Sequence, residues 1–226
     1  MNKNEVKNLA EEDTSFDDLL DEDFDSLLSE FEEGKNESKR LQNPKKELSG
    51  LSKKKPLSPA QEALYFIHKL NQGSSAYTIF SAFQVKGNIH KDRLKDAVLQ
   101  VVHRHEALRM VFTVDEHGKV WQEPIDDTSN AYEFTSIPND PNIIQDNLAK
   151  ESGYYFDLTS NVPIRIRVFQ VGKEEYIFSF SIHHIIIDAF SVDILINDID
   201  RIYNGEKLEP LKIQYAEFAE QKKITN

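Results

Sequence analysis

The sequence predicts an α+β fold, with helices and antiparallel strands layered around one core, and three observations carry that prediction. Ile164, Ile166, Val168 and Gln170 alternate with Arg165, Arg167 and Phe169, and Gly172-Lys173-Glu174 turn the chain into a second strand pattern from Tyr176 to Ser181. Leu94, Ala97, Val98, Val101 and Val102 recur at helical spacing between Lys91 and His103. Tyr77 to Val85 is rich in aromatic and β-branched residues, which favour a pleated, half-buried strand. Helices and strands mixed in this order, with hairpins between them, make an α+β sandwich.

The first 34 residues stand apart. Residues 1–50 carry 15 acidic and 7 basic side chains, so most of the chain's net charge of −12 lies there. Within a stretch lacking Lys and Arg, Phe16, Leu19, Leu20, Phe24, Leu27, Leu28 and Phe31 recur every three or four residues, one face of a helix. Thr14 or Ser15 can cap that helix, Asp17 and Asp18 suit its first turn, and Gly34 ends it. Like charges four residues apart weaken an isolated helix, so a disordered acidic tail competes with a segment that folds on a partner. The regular stripe favours the second reading. Residues 35–56 are polar and basic, with Pro44, Gly50 and Pro56, and read as a flexible linker whose lysines are solvated.

The folded part is expected over residues 57–226. Ser58 is an N-cap with Pro59 at the first helical position, and the helix runs to about Leu70 with Ala60, Leu64 and Ile67 on its apolar face. Gly73 breaks the chain before the strand Tyr77–Val85, and Gly87-Asn88 turn it into the helix from Lys91. Met110–Val114 and Val120–Glu123 flank Asp115-Glu116-His117-Gly118 as a hairpin. A helix follows over Ile143–Glu151, then the two alternating strands, and a helix from Ser191 to Tyr203 ended by Gly205.

Composition narrows the function. With no cysteine, neither a disulfide framework nor a thiolate metal site can form. No apolar run is long enough to span a bilayer, and the opening residues are no secretory signal, so a cytoplasmic protein is expected. The net negative charge argues against nucleic acid as a partner. There is no G-x-S-x-G elbow and no P-loop.

What remains is Ser181-Ile182-His183-His184-Ile185-Ile186-Ile187-Asp188-Ala189-Phe190-Ser191, where a strand ends and a loop begins. If the strand runs on, His184 shares a face with Phe178, Phe180 and Ile182, and His183 shares the other with Ser179 and Ser181. A histidine on an apolar surface has its charged form disfavoured, and a neutral imidazole can accept a proton. Two plainer readings compete: a hydrogen-bonded core histidine, and a metal site completed by Asp188. Adjacent histidines on a strand point to opposite faces, which disfavours the metal. A histidine site without a nucleophile of its own suits transfer between two bound substrates, one of which brings the nucleophile.

His183-His184-Ile185-Ile186-Ile187-Asp188-Ala189 resembles the HHxxxDG signature of nonribosomal peptide synthetase condensation domains. Three further stretches resemble that family in the same order. They are Ser58-Pro59-Ala60-Gln61-Glu62-Ala63-Leu64-Tyr65 (SxAQxR(L/M)(W/Y)), Arg104-His105-Glu106-Ala107-Leu108-Arg109-Met110-Val111-Phe112 (RHExLRTxF) and Tyr215-Ala216-Glu217-Phe218-Ala219 (YxDFA). The resemblance implies a chloramphenicol acetyltransferase-like sandwich, of which this chain supplies the N-terminal lobe and lacks the second. It implies an acyltransferase that joins an acyl or peptidyl thioester to an amine, each on the phosphopantetheine arm of a carrier protein, with no cofactor or metal bound by the lobe itself. By resemblance His184 is catalytic, and it is left open whether it takes a proton from the amine, orients it, or stabilises the tetrahedral intermediate. His183 supports the motif. Asp188 is structural and held by an arginine, with Arg104, Arg109, Arg165 and Arg167 as candidates.

Two positions depart from the family pattern: Ala63 replaces the opening motif's Arg, and Ala189 replaces the motif Gly. An alanine forced to φ > 0 would cost on the order of 1 kcal/mol. Without a second lobe the reaction channel would lose one wall. A catalytically dead lobe that only receives a carrier protein is therefore the alternative. The acidic stripe, represented by Phe16, Leu20, Phe24, Leu27 and Phe31, is expected to dock on an upstream synthase subunit.

Overall fold

The computed structural model describes residues 54–187 and 189–225, together with the two-residue strand Lys7–Asn8. These belong to one unit formed by Met1–Ala10 and Lys53–Asn226. The elements in order are β1 (Lys7–Asn8), β2 (Lys55–Pro56), α1 (Pro59–Leu70), β3 (Thr78–Lys86), α2 (Lys91–Arg104), β4 (Met110–Val114), β5 (Val120–Pro124) and β6 (Tyr132–Ser136). There follow α3 (Pro141–Ser152), β7 (Ile164–Gly172), β8 (Glu175–His183), α4 (Ala189–Tyr203) and α5 (Tyr215–Thr225). Among the described residues no helix is long and apolar enough to cross a membrane.

The larger sheet has the order β1-β3-β8-β7-β6, antiparallel except for the parallel β6–β7 pair. Its alternation sorts two faces. Ile164, Ile166 and Val168 of β7 and Phe178, Phe180 and Ile182 of β8 pack on the α2 stripe and on Leu195 and Ile199 of α4, forming the main core. On the opposite face α3 covers Phe169, Val171 and Ile177 through Ile144 and Leu148. Towards the other end that face becomes polar, with Arg165 across from Ser181 and Arg167 across from Ser179. The smaller sheet, β2-β5-β4, joins α1 and the Phe156–Leu158 stretch in a second core built on Leu57, Leu64, Tyr65, Met110 and Phe112.

Several details differ from the sequence reading. The face that α1 buries is Gln61, Leu64, Tyr65 and His68, while Ala60 is exposed. Both polar members find buried partners, so the helix carries a half-polar stripe inward. The sequence reading assigned no strand over β6, a short edge strand in which half-buried Tyr132 and Phe134 alternate with Glu133 and Thr135. Lys55 and Pro56, at the end of the expected linker, pair with Gln122 and Trp121, and Lys55 Nζ lies 2.6 Å from Glu220. α4 begins at Ala189, two residues before the expected cap at Ser191. Among the described residues no non-glycine has a positive φ. Asp188 and the apolar stripe of Phe16, Leu20, Phe24, Leu27 and Phe31 lie outside the described residues.

Candidate functional site

β8 ends at His183 because its side chain turns the backbone. The Ile185 N–H donates to His183 Nδ1 at 3.1 Å, which closes a 3-10 turn over His184–Ile186. The His183 N–H donates to the Pro163 carbonyl at 3.0 Å and the His184 N–H to the Tyr77 carbonyl at 2.9 Å. His184 therefore leaves the strand instead of continuing along the face of Phe178, Phe180 and Ile182. It is half-buried, held by its own N–H on one side and that of Ile185 on the other.

His183 stands on the face of Ser179 and Ser181, as the alternation predicts, and is only 2% exposed. Its Nε2 lies 3.2 Å from His68 Nδ1 on α1, and the two rings meet edge-on with centroids 5.0 Å apart. Phe156 closes a third side, perpendicular at 6.2 Å. His68 Nε2 in turn lies 3.2 Å from Tyr155 Oη. Burial, followed by the neighbouring His68 and His184 rings, pushes the His183 imidazole down to about 3. His68 is lowered too, chiefly by burial and then by Lys69, with Asp157 opposing. The histidine driven neutral by its surroundings is thus His183, on the serine face, whereas the apolar-face reading looked to His184. Both nitrogens of His183 are engaged by protein groups, which fits a supporting role and leaves no lone pair for an ion.

The four stretches singled out in the sequence share one core, through Leu64, Tyr65, Met110, Phe112, Ile185 and Ala216, and hydrogen bonds tie them to one another or to nearby residues. Gln61 Nε2 donates to the Ile185 carbonyl at 3.3 Å and to Gln122 Oε1 at 3.1 Å, and Gln122 Nε2 returns a bond to Gln61 Oε1 at 3.0 Å. Ser58 caps α1 in a capping box with Gln61, and its hydroxyl meets Tyr215 Oη at 3.1 Å. Gln214 Oε1 accepts from the Glu106 N–H and Gln214 Nε2 donates to the Arg104 carbonyl. His105 Nε2 and Arg104 Nε both reach Asp198 on α4, at 2.9 and 3.2 Å. Gln61, His68, Tyr77, Gln122, Tyr155 and Asp198 are the site residues the sequence reading missed. Gln61 alone had a signal, its place in the opening motif.

The candidate arginines are dispersed and each has partners. Arg104 reaches Asp198 and the Glu209 carbonyl. Arg109 donates to the Ile125 carbonyl at 3.1 Å and lies 3.7 Å from Glu106. Arg165 holds Glu151 with two bonds of 2.9 and 2.8 Å and lies over the Tyr154 ring. Arg167 donates to the Asn130 and Ile166 carbonyls and pairs with Glu133 at 3.3 Å. Arg165 and Arg167 share the polar face with His183, whereas Arg104 ends α2 and Arg109 directly precedes β4.

Chemically, the turn presents one half-buried imidazole from a rigid strand end, with its backbone fixed and its neighbour locked neutral. Such a group can bind or move a proton on a substrate that brings its own nucleophile.

Comparison with known proteins bears on the family and the fold. A family model for the condensation domain matches residues 52–225. The chain is 31% identical over 169 residues to a probable non-canonical nonribosomal peptide synthetase, CymA, of Salinispora arenicola, an alignment that covers 72% of this chain and 2% of that protein. It is 33% identical over 170 residues to a dimodular nonribosomal peptide synthase of Bacillus subtilis, covering 73% and 7%. The condensation domain of the Monacolin K polyketide synthase MokA superposes with a TM-score of 0.70 at 22% identity, over 77% of this chain and 39% of that one. The X-domain from teicoplanin biosynthesis gives 0.69 at 23% identity, over 80% and 40%. The chain spans a few per cent of these curated relatives and about two fifths of these solved structures, whose fold it shares as an N-terminal lobe. On the strength of the family match over residues 52–225, the chain belongs to the condensation-domain family.

Proposed function

We propose that this lobe forms one wall of a site that joins a carrier-bound acyl or peptidyl thioester to a carrier-bound amine. The observation that carries the reading is the pinned turn: His184 is set at the strand end by the Tyr77 carbonyl, the Ile185 N–H and His183. In this reaction the amine nitrogen attacks the thioester carbonyl, a C–N bond forms and the C–S bond breaks. The amine gives up one proton and the departing thiolate gains one. His184 supports it by taking that proton, by orienting the amine, or by hydrogen-bonding the tetrahedral intermediate. The substrates arrive on phosphopantetheine arms, so the lobe needs no cofactor of its own. The partners are two carrier proteins and a second lobe that closes the channel and keeps water from the thioester. In the same reading the acidic stripe of Phe16, Leu20, Phe24, Leu27 and Phe31 docks on a basic element of an upstream subunit.

Ala63, in place of the opening motif's Arg, favours a second reading: a lobe that binds a carrier protein without catalysis. One experiment separates the two. A complete condensation domain carrying this lobe is given donor and acceptor carriers, each loaded, and amide product is followed by mass. The His184→Ala variant should lose at least about tenfold in turnover, the lower end of a general acid–base contribution being larger still. Its melting temperature should stay near the parent's. Unchanged turnover in the variant would remove His184 from the chemistry, and carrier binding without product in the parent would favour the second reading.

A further inference from the structure

The hydrogen bonds around His183 have only one consistent direction. The Ile185 N–H is a donor, so His183 Nδ1 is an acceptor, and the neutral ring carries its proton on Nε2. Nε2 faces His68 Nδ1 at 3.2 Å, so that nitrogen is an acceptor too. His68 then carries its proton on Nε2, which faces Tyr155 Oη at 3.2 Å. Protonating either ring at its accepting nitrogen would set two donors against each other. The array spans three separate segments, the turn after β8, helix α1 and the Tyr154–Phe156 stretch, and its two histidines are 5% or less exposed. Phe156 lies edge-on to His183, the Tyr155 ring is parallel to His68 with centroids 5.0 Å apart, and Ile185 and Leu64 belong to the adjoining core, while Lys69 and Asp157 act on His68 with opposite sign.

We infer that His68, steadied by Tyr155, is a positioning residue: by accepting the Nε2 proton of His183 it fixes the tautomer whose Nδ1 holds the Ile185 N–H, and so sets the turn that presents His184. A buried imidazole whose N–H has no acceptor loses the energy of that bond and gains from flipping to its other tautomer. The other tautomer places a proton on Nδ1, against the Ile185 N–H, and opens the turn. The inference rests on the proposed function for its effect on catalysis. Its structural part, the tautomer and the turn, stands independently of the reaction.

The decisive comparison is between His68→Leu and His68→Asn. Leucine fills the volume and offers no acceptor, whereas the asparagine side-chain oxygen can stand near the position of Nδ1. Imidazole ¹⁵N spectra of the whole chain should show His183 protonated on Nε2 alone. In His68→Leu the Ile185 amide should exchange about tenfold faster, the size of one buried hydrogen bond. In a complete domain kcat should fall by a similar factor with KM for the loaded acceptor unchanged. His68→Asn should restore both to within about twofold, and Tyr155→Phe should mix the tautomers of His68 with a smaller loss. A role in packing alone predicts the reverse order, with leucine tolerated and asparagine not, and that order would overturn the inference. A His183 ring protonated on Nδ1 in the unsubstituted chain would overturn it without any variant, even if His68→Leu fails to fold. If the spectra and exchange respond as expected but the complete domain makes no product, the positioning stands and the proposed function falls.

Discussion

His183 is neutral because burial, and then the neighbouring His68 and His184 rings, disfavour its charged form, and this makes the stability of the lobe depend on pH. The folded imidazole takes a proton only near pH 3, whereas an unfolded histidine takes one near 6.5. Between these values the unfolded chain binds the extra proton and the folded chain does not. Stability present above about pH 6.5 is therefore lost as pH falls, by up to about 1.4 kcal/mol per pH unit for each such histidine. His68, lowered for the same reason, adds to the slope. Asp115 and Asp157 have lowered carboxyls from hydrogen bonds, to Trp121 first in one case and to Thr159 first in the other, so their own losses come below the ordinary carboxylate range. Urea melts at intervals between pH 7 and 5 should thus isolate the histidines, with His183→Gln flattening the dependence by about one proton's worth. Parallel profiles for parent and variant would contradict the assignment. At this scale the histidine pair is legible in the sequence as two adjacent imidazoles at a strand end. Which one lies buried is not, because that depends on where the strand stops. It stops at the Ile185 N–H bond to His183, and the partner that completes the array is 115 residues away in the chain.

The helices show the same division between local and distant causes. The α2 stripe of Leu94, Ala97, Val98, Val101 and Val102 is read correctly from spacing alone, since burying an apolar face needs no named partner. The α1 stripe is misread because Gln61 and His68 look like solvent residues until Gln122 and His183 are placed against them. β6 is faint for a related reason: Tyr132 and Phe134 alternate with Glu133 and Thr135 over only five residues, and parallel pairing with β7 is what makes them a strand. α3 illustrates how a helix end fixes the polar face of the sheet. Asp140 caps its start, accepting from the Asn142 N–H at 2.8 Å, and Glu151 in its last turn takes both bonds of Arg165. Glu151 is 10% exposed and its main-chain carbonyl also accepts from the Ser181 hydroxyl. Glu151→Gln should leave Arg165 with an uncompensated, largely buried charge and cost on the order of 3–5 kcal/mol. Glu133 also faces Arg167 but is 59% exposed, so Glu133→Gln should cost less than about 1 kcal/mol. Denaturant midpoints of the two variants test this, and equal midpoints would mean that the Glu151 pair is as well solvated as the Glu133 pair.

Across the whole molecule, motifs spread from Ser58 to Ala219 converge because a hairpin of two nine-residue strands, β7 and β8, runs through the middle of the larger sheet. Its end carries the histidine turn; Gln61 ties α1 to that turn, Asp198 ties α4 to His105 after α2, and Tyr215 ties α5 to Ser58 at the start of α1. This convergence is why four short resemblances, each weak alone, identify one lobe: their residues touch. Ahead of the lobe the chain carries a different kind of information. The segment around Phe16, Leu20, Phe24, Leu27 and Phe31 sets large apolar side chains at helical spacing among carboxylates, with no Lys or Arg between Lys7 and Lys35. Nucleating a helix this short is unfavourable, and like charges four residues apart oppose it, so its stability has to come from a complementary surface. In the docking proposed above, a basic, apolar element of an upstream subunit would supply both halves of that complementarity. Attraction between opposite charges should speed the encounter and fade with ionic strength, while the apolar stripe should set the lifetime of the complex. Titration with a basic amphipathic helix peptide should therefore turn on helical shifts from Phe16 to Phe31, with an association rate that falls as salt is raised and a dissociation rate that does not. Phe24→Ala should speed dissociation by about tenfold or more, the loss expected on truncating a buried aromatic anchor. Helical shifts in the free chain without any peptide, or an association rate indifferent to salt, would refute docking of this kind.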